Sequence, residues 1–214
     1  MSDPLEISRV NSPKDPRVRR TRRLLQDSLN TLLESKSFCD LSITDICEQA
    51  DIARVTFYQH YDSKDTLLLA SVAEFFSSLP QAMDPDALDL YFETGDMSPL
   101  MSLPQIASAN SSRVRLIKVS LQYVGGAVRK LMLGSFLEDF KAYSQRKTDL
   151  NEKEVQVLAT FYVGGMLTLL EQFLSDQLDI SQAELQVATL TFLRILRQGA
   201  IQSSILSDSP PPEC

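Results

Sequence analysis

The stretch from Ser42 to Asp65 constrains the fold most, because it has the pattern of two short helices joined by a tight turn. Four apolar residues spaced i, i+3, i+4 and i+7 share one face of the first helix: Ile43, Ile46, Cys47 and Ala50. Ser42 followed by Asp45 predicts a capping box at the start of that helix. Asp51 ends the pattern, and we expect a positive φ there, because Asp tolerates that conformation better than most residues. Together these signals predict a helix-turn-helix.

The second helix of this motif has one side that can pack and another that can project. Phe57 and Tyr61 are spaced i, i+4 and share the packing side. Arg54 and Tyr58 share a side about 100 degrees away. A short helix with an outward arginine, threonine and tyrosine is suited to the major groove of DNA.

The charge distribution favours this interpretation although the formal net charge is -7. Between Arg9 and Arg23, seven Lys and Arg residues face a single Asp, whereas from residue 67 onward 11 Lys and Arg face 17 Asp and Glu. A basic segment before the motif and an acidic remainder suit a DNA-binding protein. A solvated basic tail without a partner is the alternative.

Helical periodicity and the lack of period-2 alternation predict an all-α fold of about nine helices. Capping boxes are expected at Asn151 with Glu154 and at Ser181 with Glu184. The helices outside the motif are predicted near residues 17–35, 63–78, 86–93, 113–146 (two helices, interrupted at Gly125-Gly126), 151–178 and 181–205.

Four segments follow from these boundaries. They are a flexible basic arm (1–16), a three-helix helix-turn-helix domain (17–66), a helical C-terminal domain (67–205) and a disordered tail (206–214). The last two helices are apolar over more than one face, which favours a dimer, because a helix-turn-helix usually binds two half-sites. A deep monomeric core is the alternative.

Composition argues against several other functions. No run approaches the eighteen or so apolar residues of a membrane span, so we expect a cytoplasmic protein with no membrane partner. The three cysteines lack metal or redox spacing, and His60 is the only histidine. No G-x-S-x-G and no glycine-rich phosphate loop is present. We therefore expect no enzyme activity, no catalytic residue, no cofactor and no metal site.

The segments I-T-D-I-C-E-Q-A and T-F-Y-Q-H-Y-D-S-K-D-T-L-L resemble the DNA-binding domain of the TetR family of transcriptional regulators, over roughly residues 17–70. The T-F-Y-x-H-Y pattern is also similar to a branch with activators of dihydroxyacetone kinase expression. The resemblance implies that a variable helical C-terminal domain dimerises and binds a small effector. Two positions depart from the family pattern. Asp51 replaces the usual glycine, and Ala53 replaces a capping Ser or Thr that is typically worth about 1 kcal/mol.

The resemblance also implies DNA contacts for seven residues: Thr44, Arg54, Val55, Thr56, Tyr58, His60 and Lys64. Arg54 and Val55 would contact bases, and Arg54 can bond bidentately to guanine. Thr56 and Tyr58 would contact phosphate or base methyl groups. His60 and Lys64 would contact phosphate, and Thr44 would face the DNA from the helix before. The alternatives are a phosphate contact for Arg54, a packing role for Tyr58, and a capping or packing role for His60.

These inferences predict a homodimeric repressor that binds a palindromic operator on double-stranded DNA and is released by a small molecule. The candidate pocket residues are Tyr123, Met132, Phe136, Phe161, Tyr162 and Met166, with plain core packing as the alternative. Gly164-Gly165 inside a helix suggests close helix approach or room for a ligand. The alternative function is an activator or co-regulator that mainly binds protein or ligand and binds DNA weakly.

Overall fold

The computed structural model describes residues 15–78, 111–147 and 151–181, together with residues 183, 184, 187 and 191. This part of the chain contains helices and no strand. The helices are α1 (Pro16–Leu32), α2 (Ile43–Ala50), α3 (Arg54–Tyr58), α4 (Lys64–Ser78), α5 (Ser111–Lys147) and α6 (Glu152–Leu174). A 3-10 turn, Phe38–Asp40, lies between α1 and α2. Below, α1 to α4 with this turn are called the head, and α5 with α6 the body.

The helix count differs from the sequence prediction. Six α-helices, not about nine, lie within the described ranges. The helix predicted near residues 86–93, most of the arm and the tail lie outside those ranges. So does most of the last predicted helix, although Ser181 N donates to Glu184 Oε2 at 2.7 Å, as its predicted capping box requires.

Local signals explain where α1 begins. The Asp15 carboxylate accepts a hydrogen bond from Arg17 N at 2.8 Å, and Pro16 occupies the first turn, where its missing N–H is not needed. The helix therefore starts one residue before the predicted position. It ends at Leu32, and Leu33 N still bonds to Leu29 O at 3.0 Å.

One hydrophobic cluster holds the head together and continues into the body. In the head it includes Leu25 and Leu29 of α1, both fully buried, and Leu67 and Leu68 of α4. The body contributes Leu116, Ile117 and Leu170. Arg115 Nη1 also donates to Leu33 O at 2.9 Å. The predicted domain boundary at residues 66 and 67 falls inside α4, and it remains a prediction.

The two long helices of the body pack against each other. Phe136 of α5 stacks on Tyr162 of α6 with ring centroids 4.6 Å apart. A capping box starts α6 as predicted, because Asn151 Oδ1 accepts from Glu154 N at 3.1 Å and Glu154 Oε2 accepts from Asn151 N at 2.8 Å. The two helices predicted over residues 113–146 meet at a kink, as the sequence predicts: Val124 is non-helical (φ -128°, ψ 23°) directly before Gly125-Gly126, and the pair is counted here as the single element α5.

The α6 helix is apolar on two opposite sides. Its inner stripe is buried and consists of Val155, Ala159, Val163, Leu167 and Leu170. The outer stripe is exposed and consists of Val157, Leu158, Phe161 and Leu169. Of the helices described, α6 alone is long and apolar enough to cross a membrane by length and composition. The sequence predicts no membrane span, since it has no uninterrupted apolar run of that length: Glu, Lys, Gln and Thr occupy eight of the 23 positions of α6.

Candidate nucleic-acid interface

The start of α2 is fixed by the predicted capping box. Ser42 Oγ accepts from Asp45 N at 3.1 Å, and Asp45 Oδ2 accepts from Ser42 N at 2.8 Å. The Ser42 hydroxyl also donates to Asp45 Oδ2 at 2.6 Å, and Lys36 Nζ donates to Asp45 Oδ1 at 3.0 Å. These hydrogen bonds hold the pKa of the Asp45 carboxyl well below its usual range, and those from Ser42 have the largest effect.

The turn between α2 and α3 has the conformation that the sequence predicts. Asp51 is left-handed, with φ 53° and ψ 46°, and Ile52 N bonds back to Cys47 O at 2.9 Å. Ala53 occupies the N-cap position of α3 without a side-chain hydrogen bond to the helix. The start of α3 therefore depends on packing rather than on a cap.

The five-residue α3 is held by one buried side chain. Phe57 is completely buried and contacts the Tyr58 ring edge-on, with centroids 5.5 Å apart. Because Phe57 points inward, Arg54 is exposed, Val55 is 68% exposed and Tyr58 is 49% exposed. Tyr61 is buried beside Phe57, as the i, i+4 spacing predicts. Arg54, Val55 and Tyr58 therefore lie together on the exposed side of α3.

The remaining predicted DNA contacts lie around this surface. Thr44 on α2 is exposed and lines the same open groove as Arg54. Thr56 and His60 are half-buried. Burial, and secondarily the charge of Arg22, lowers the pKa of His60. Arg22 lies on α1, with its guanidinium carbon 5.9 Å from the centroid of the Tyr61 ring. Sequence patterns did not single out Arg22, because its neighbours Tyr61 and His60 are distant along the chain.

Lys64 has an arrangement that the sequence did not predict. Its Nζ donates to Phe38 O at 2.8 Å, to Cys39 O at 3.3 Å and to Leu41 O at 2.8 Å. The ammonium also lies 4.8 Å from the centroid of the Phe38 ring. All three of its hydrogens therefore point at backbone carbonyls, whereas the sequence predicts a phosphate contact.

The candidate pocket residues lie in several different environments. Phe136 and Tyr162 stack on each other between α5 and α6, and Met132 packs against the small cluster around Val72 and Val128. Met166 is half-buried.

The other two candidates face elsewhere. Tyr123 contacts the head, with its ring 5.0 Å from that of Phe38 and its Oη 2.9 Å from Cys39 Sγ. Phe161 is 76% exposed on the outer stripe. A shared effector pocket for these residues remains a prediction.

A family model described as "Bacterial regulatory proteins, tetR family" matches residues 28–71, from the middle of α1 to the middle of α4. The matched residues include the whole helix-turn-helix. Over these residues the chain is similar to the tetR family. It therefore carries a DNA-binding domain of TetR-type transcriptional regulators.

Two relatives agree with this assignment. An HTH-type transcriptional regulator of Haemophilus influenzae is 28% identical over 200 residues, which are 85% of this chain and 90% of that protein. The HTH-type regulator YxbF of Bacillus subtilis is 37% identical over 81 residues, 36% of this chain. Those residues span only 21% of the length of YxbF.

Solved structures share the fold of this chain. The dihydroxyacetone kinase operon activator DhaS is 15% identical, with a TM-score of 0.56, over 83% of this chain and 96% of DhaS. A protein of Mesorhizobium loti assigned to the TetR family is 20% identical, with a TM-score of 0.53, over 85% and 98%. At these identities the likeness concerns the fold alone.

Proposed function

We propose that this TetR-family protein is a cytoplasmic homodimeric repressor that binds a palindromic operator and is released by a small-molecule effector. The observation that carries the proposal is the orientation of α3. Phe57 is fully buried, so that Arg54, Val55 and Tyr58 are exposed together. An exposed arginine beside an exposed valine and tyrosine can combine a guanine contact with contacts to thymine methyl groups.

In the proposed complex, α3 enters the major groove, where Arg54 and Val55 contact bases. Thr56 and Tyr58 contact phosphate or thymine methyl groups, His60 contacts phosphate, and Thr44 approaches from α2. The exposure of Thr44 and Arg54 around one groove supports this assignment.

The outer stripe of α6 is the proposed dimer interface. Its four large apolar side chains are exposed to water in a single chain, and an 18-residue window of α6 holds at most two charged residues. For two heads to contact half-sites about 34 to 36 Å apart, a two-fold pairing through α6 must place both heads on one side of the duplex. Gly165 lies on this side, and a Cβ there would meet no described atom within 4 Å.

Release by an effector requires that the ligand favour a body conformation in which the two heads no longer fit successive major grooves. The aromatic and methionine side chains between α5 and α6, with Phe136 and Tyr162 at their centre, are the proposed contacts.

The experiment that tests this function measures binding of the full chain to DNA fragments from the region beside its own gene, at several salt concentrations. We expect the logarithm of the association constant to fall steeply with the logarithm of salt concentration. Arg54→Ala should weaken specific binding by about 1 to 3 kcal/mol. Arg129→Ala is the matched control, because Arg129 is an exposed arginine of the body. Equal effects of the two substitutions, or no binding to any fragment, would contradict the proposal.

An activator or co-regulator with weak DNA binding is the second candidate, and the uncapped Ala53 favours it. A transcriptional reporter distinguishes the two. Deletion of a repressor raises expression from the bound promoter, whereas deletion of an activator lowers it.

A further inference from the structure

Lys64 connects the two ends of the helix-turn-helix. It is the first residue of α4, directly after the motif, and its three acceptors lie directly before α2. We propose that Lys64 is a positioning residue that sets the orientation of α2 and α3 for DNA, and that it does not contact phosphate. The inference rests on the proposed function.

The stoichiometry of the contact supports this role. A lysine ammonium has three hydrogens, and the carbonyls of Phe38, Cys39 and Leu41 supply three acceptors at 2.8, 3.3 and 2.8 Å. The 3-10 turn and the segment after it point these carbonyls at one spot. The Phe38 ring lies beside the same ammonium, which adds a cation–π contact. A phosphate could be bound only if Lys64 gave up one of these partners.

The segment that Lys64 holds determines where α2 begins. Phe38 and Leu41 are 3% and 2% exposed, so the turn is anchored in the head core. The next residue, Ser42, caps α2. Lys64 thus closes a loop from residue 41 to residue 64 that contains the entire helix-turn-helix. A change in this closure shifts α3 relative to α1 even when each helix stays folded.

Two substitutions separate a positioning role from a phosphate contact. Lys64→Arg keeps the charge, but its planar guanidinium cannot direct three hydrogens at three converging carbonyls. Lys64→Met keeps the apolar stem and removes the charge. Lys118→Arg and Lys118→Met are matched controls, because Lys118 is exposed on α5.

The measurements use the full chain well below its melting temperature, with the operator fragment and an unrelated fragment of equal length. For both Lys64 variants we expect specific affinity to fall about tenfold or more, while non-specific affinity and the salt slope stay unchanged. Global destabilisation alone would not change the ratio of specific to non-specific affinity under these conditions. The melting temperature should also fall, by about 2 to 4 °C or more, as carbonyls lose their donor.

A phosphate contact by Lys64 would give different results for the two variants. Wild-type affinity for Lys64→Arg, together with a salt slope reduced by about 0.9 in Lys64→Met, would identify a phosphate contact and overturn the inference. A wild-type melting temperature for both variants would overturn it as well. If the wild-type chain binds no DNA, the proposed function fails, whereas the melting temperatures still decide whether Lys64 holds the turn.

Discussion

Asp51 positions α3 relative to α2 at an energetic cost. Its left-handed conformation (φ 53°) lets the chain reverse between α2 and α3. A left-handed conformation is least strained for glycine, and the Asp51 carboxylate lies at the C-terminal end of α2, where negative charge is unfavourable. The TetR-like turn is therefore formed here with a residue that does not optimise its stability.

The first prediction concerns this turn. Asp51→Gly should raise the free energy of unfolding by about 0.5 to 1 kcal/mol, because it removes both the strain and the charge. Asp51→Ala should lower the free energy of unfolding by about 1 kcal/mol, because alanine lacks the short polar side chain that makes a left-handed conformation less costly for Asp. Urea denaturation followed by circular dichroism measures both. A more stable Asp51→Ala than Asp51→Gly would disprove this account of the turn.

The second prediction concerns the Tyr61 hydroxyl, which is buried without a hydrogen-bond partner among the described residues. Burial raises the pKa of Tyr61 to about 12 from its ordinary value of 10.0. The unfolded chain therefore loses this proton first as pH rises above 10, so the folded state should lose stability between about pH 10 and pH 12. The contribution of Tyr61 is about 1 kcal/mol near pH 11.

Tyr61→Phe tests this assignment, because phenylalanine keeps the ring and removes the hydroxyl. We expect unchanged or higher stability at neutral pH and a smaller alkaline loss, with Tyr58→Phe as the control at a half-exposed tyrosine. Urea titrations at neutral and alkaline pH provide the comparison. An alkaline loss of the same size in Tyr61→Phe as in the wild type would assign it to other groups.

At the scale of helices, local signals were sufficient to predict where α2 and α6 begin, but they did not predict the long-range contacts. The capping boxes at Ser42 and Asn151 follow from residues three positions apart, and both are present. The carbonyl contacts of Lys64 reach back 23 to 26 residues, and the Tyr123–Cys39 contact joins residues 84 apart. Periodicity shows which side of a helix is apolar, but it does not show which neighbour covers that side.

The third prediction concerns the bend in α5. A Cβ at Gly125 or Gly126 would meet no described atom within 4 Å, so packing within this part of the chain does not require either glycine. Gly126→Ala should therefore stabilise the protein by about 1 kcal/mol, as expected for an exposed helix interior. Thermal unfolding measures the change. A destabilised Gly126→Ala variant would mean that the bend at Val124 needs the glycine backbone.

At the scale of the whole molecule, head and body share a core, and α6 presents an exposed apolar stripe among the described residues. The sequence showed that α6 is apolar on more than one side, but it assigned Phe161 to a pocket. Phe161 is 76% exposed, and its role in a pocket stays a prediction. Phe161 and Tyr162 are consecutive in the chain, so both belong to the broad apolar surface of α6. Only the position of α5 reveals which of them is covered.

The fourth prediction tests the proposed dimer. Phe161→Glu should shift the protein from dimer to monomer, because it places a charge in the centre of the outer stripe. Gln156→Glu adds the same charge at an exposed polar position of α6 and should leave the dimer intact. Sedimentation velocity measures the assembly state. A monomeric wild type, or a Phe161→Glu variant that sediments like the wild type, would remove α6 as the interface.

The brevity of α3 has a thermal consequence. Five residues are too few to remain helical in water by themselves, so α3 stays helical because Phe57 packs into a pocket of the head core. Warming that loosens this pocket would abolish discrimination between sequences before the arginine-rich α1 loses its general attraction to a duplex. The protein would then still adhere to chromosomal DNA, but it would no longer distinguish one promoter from another.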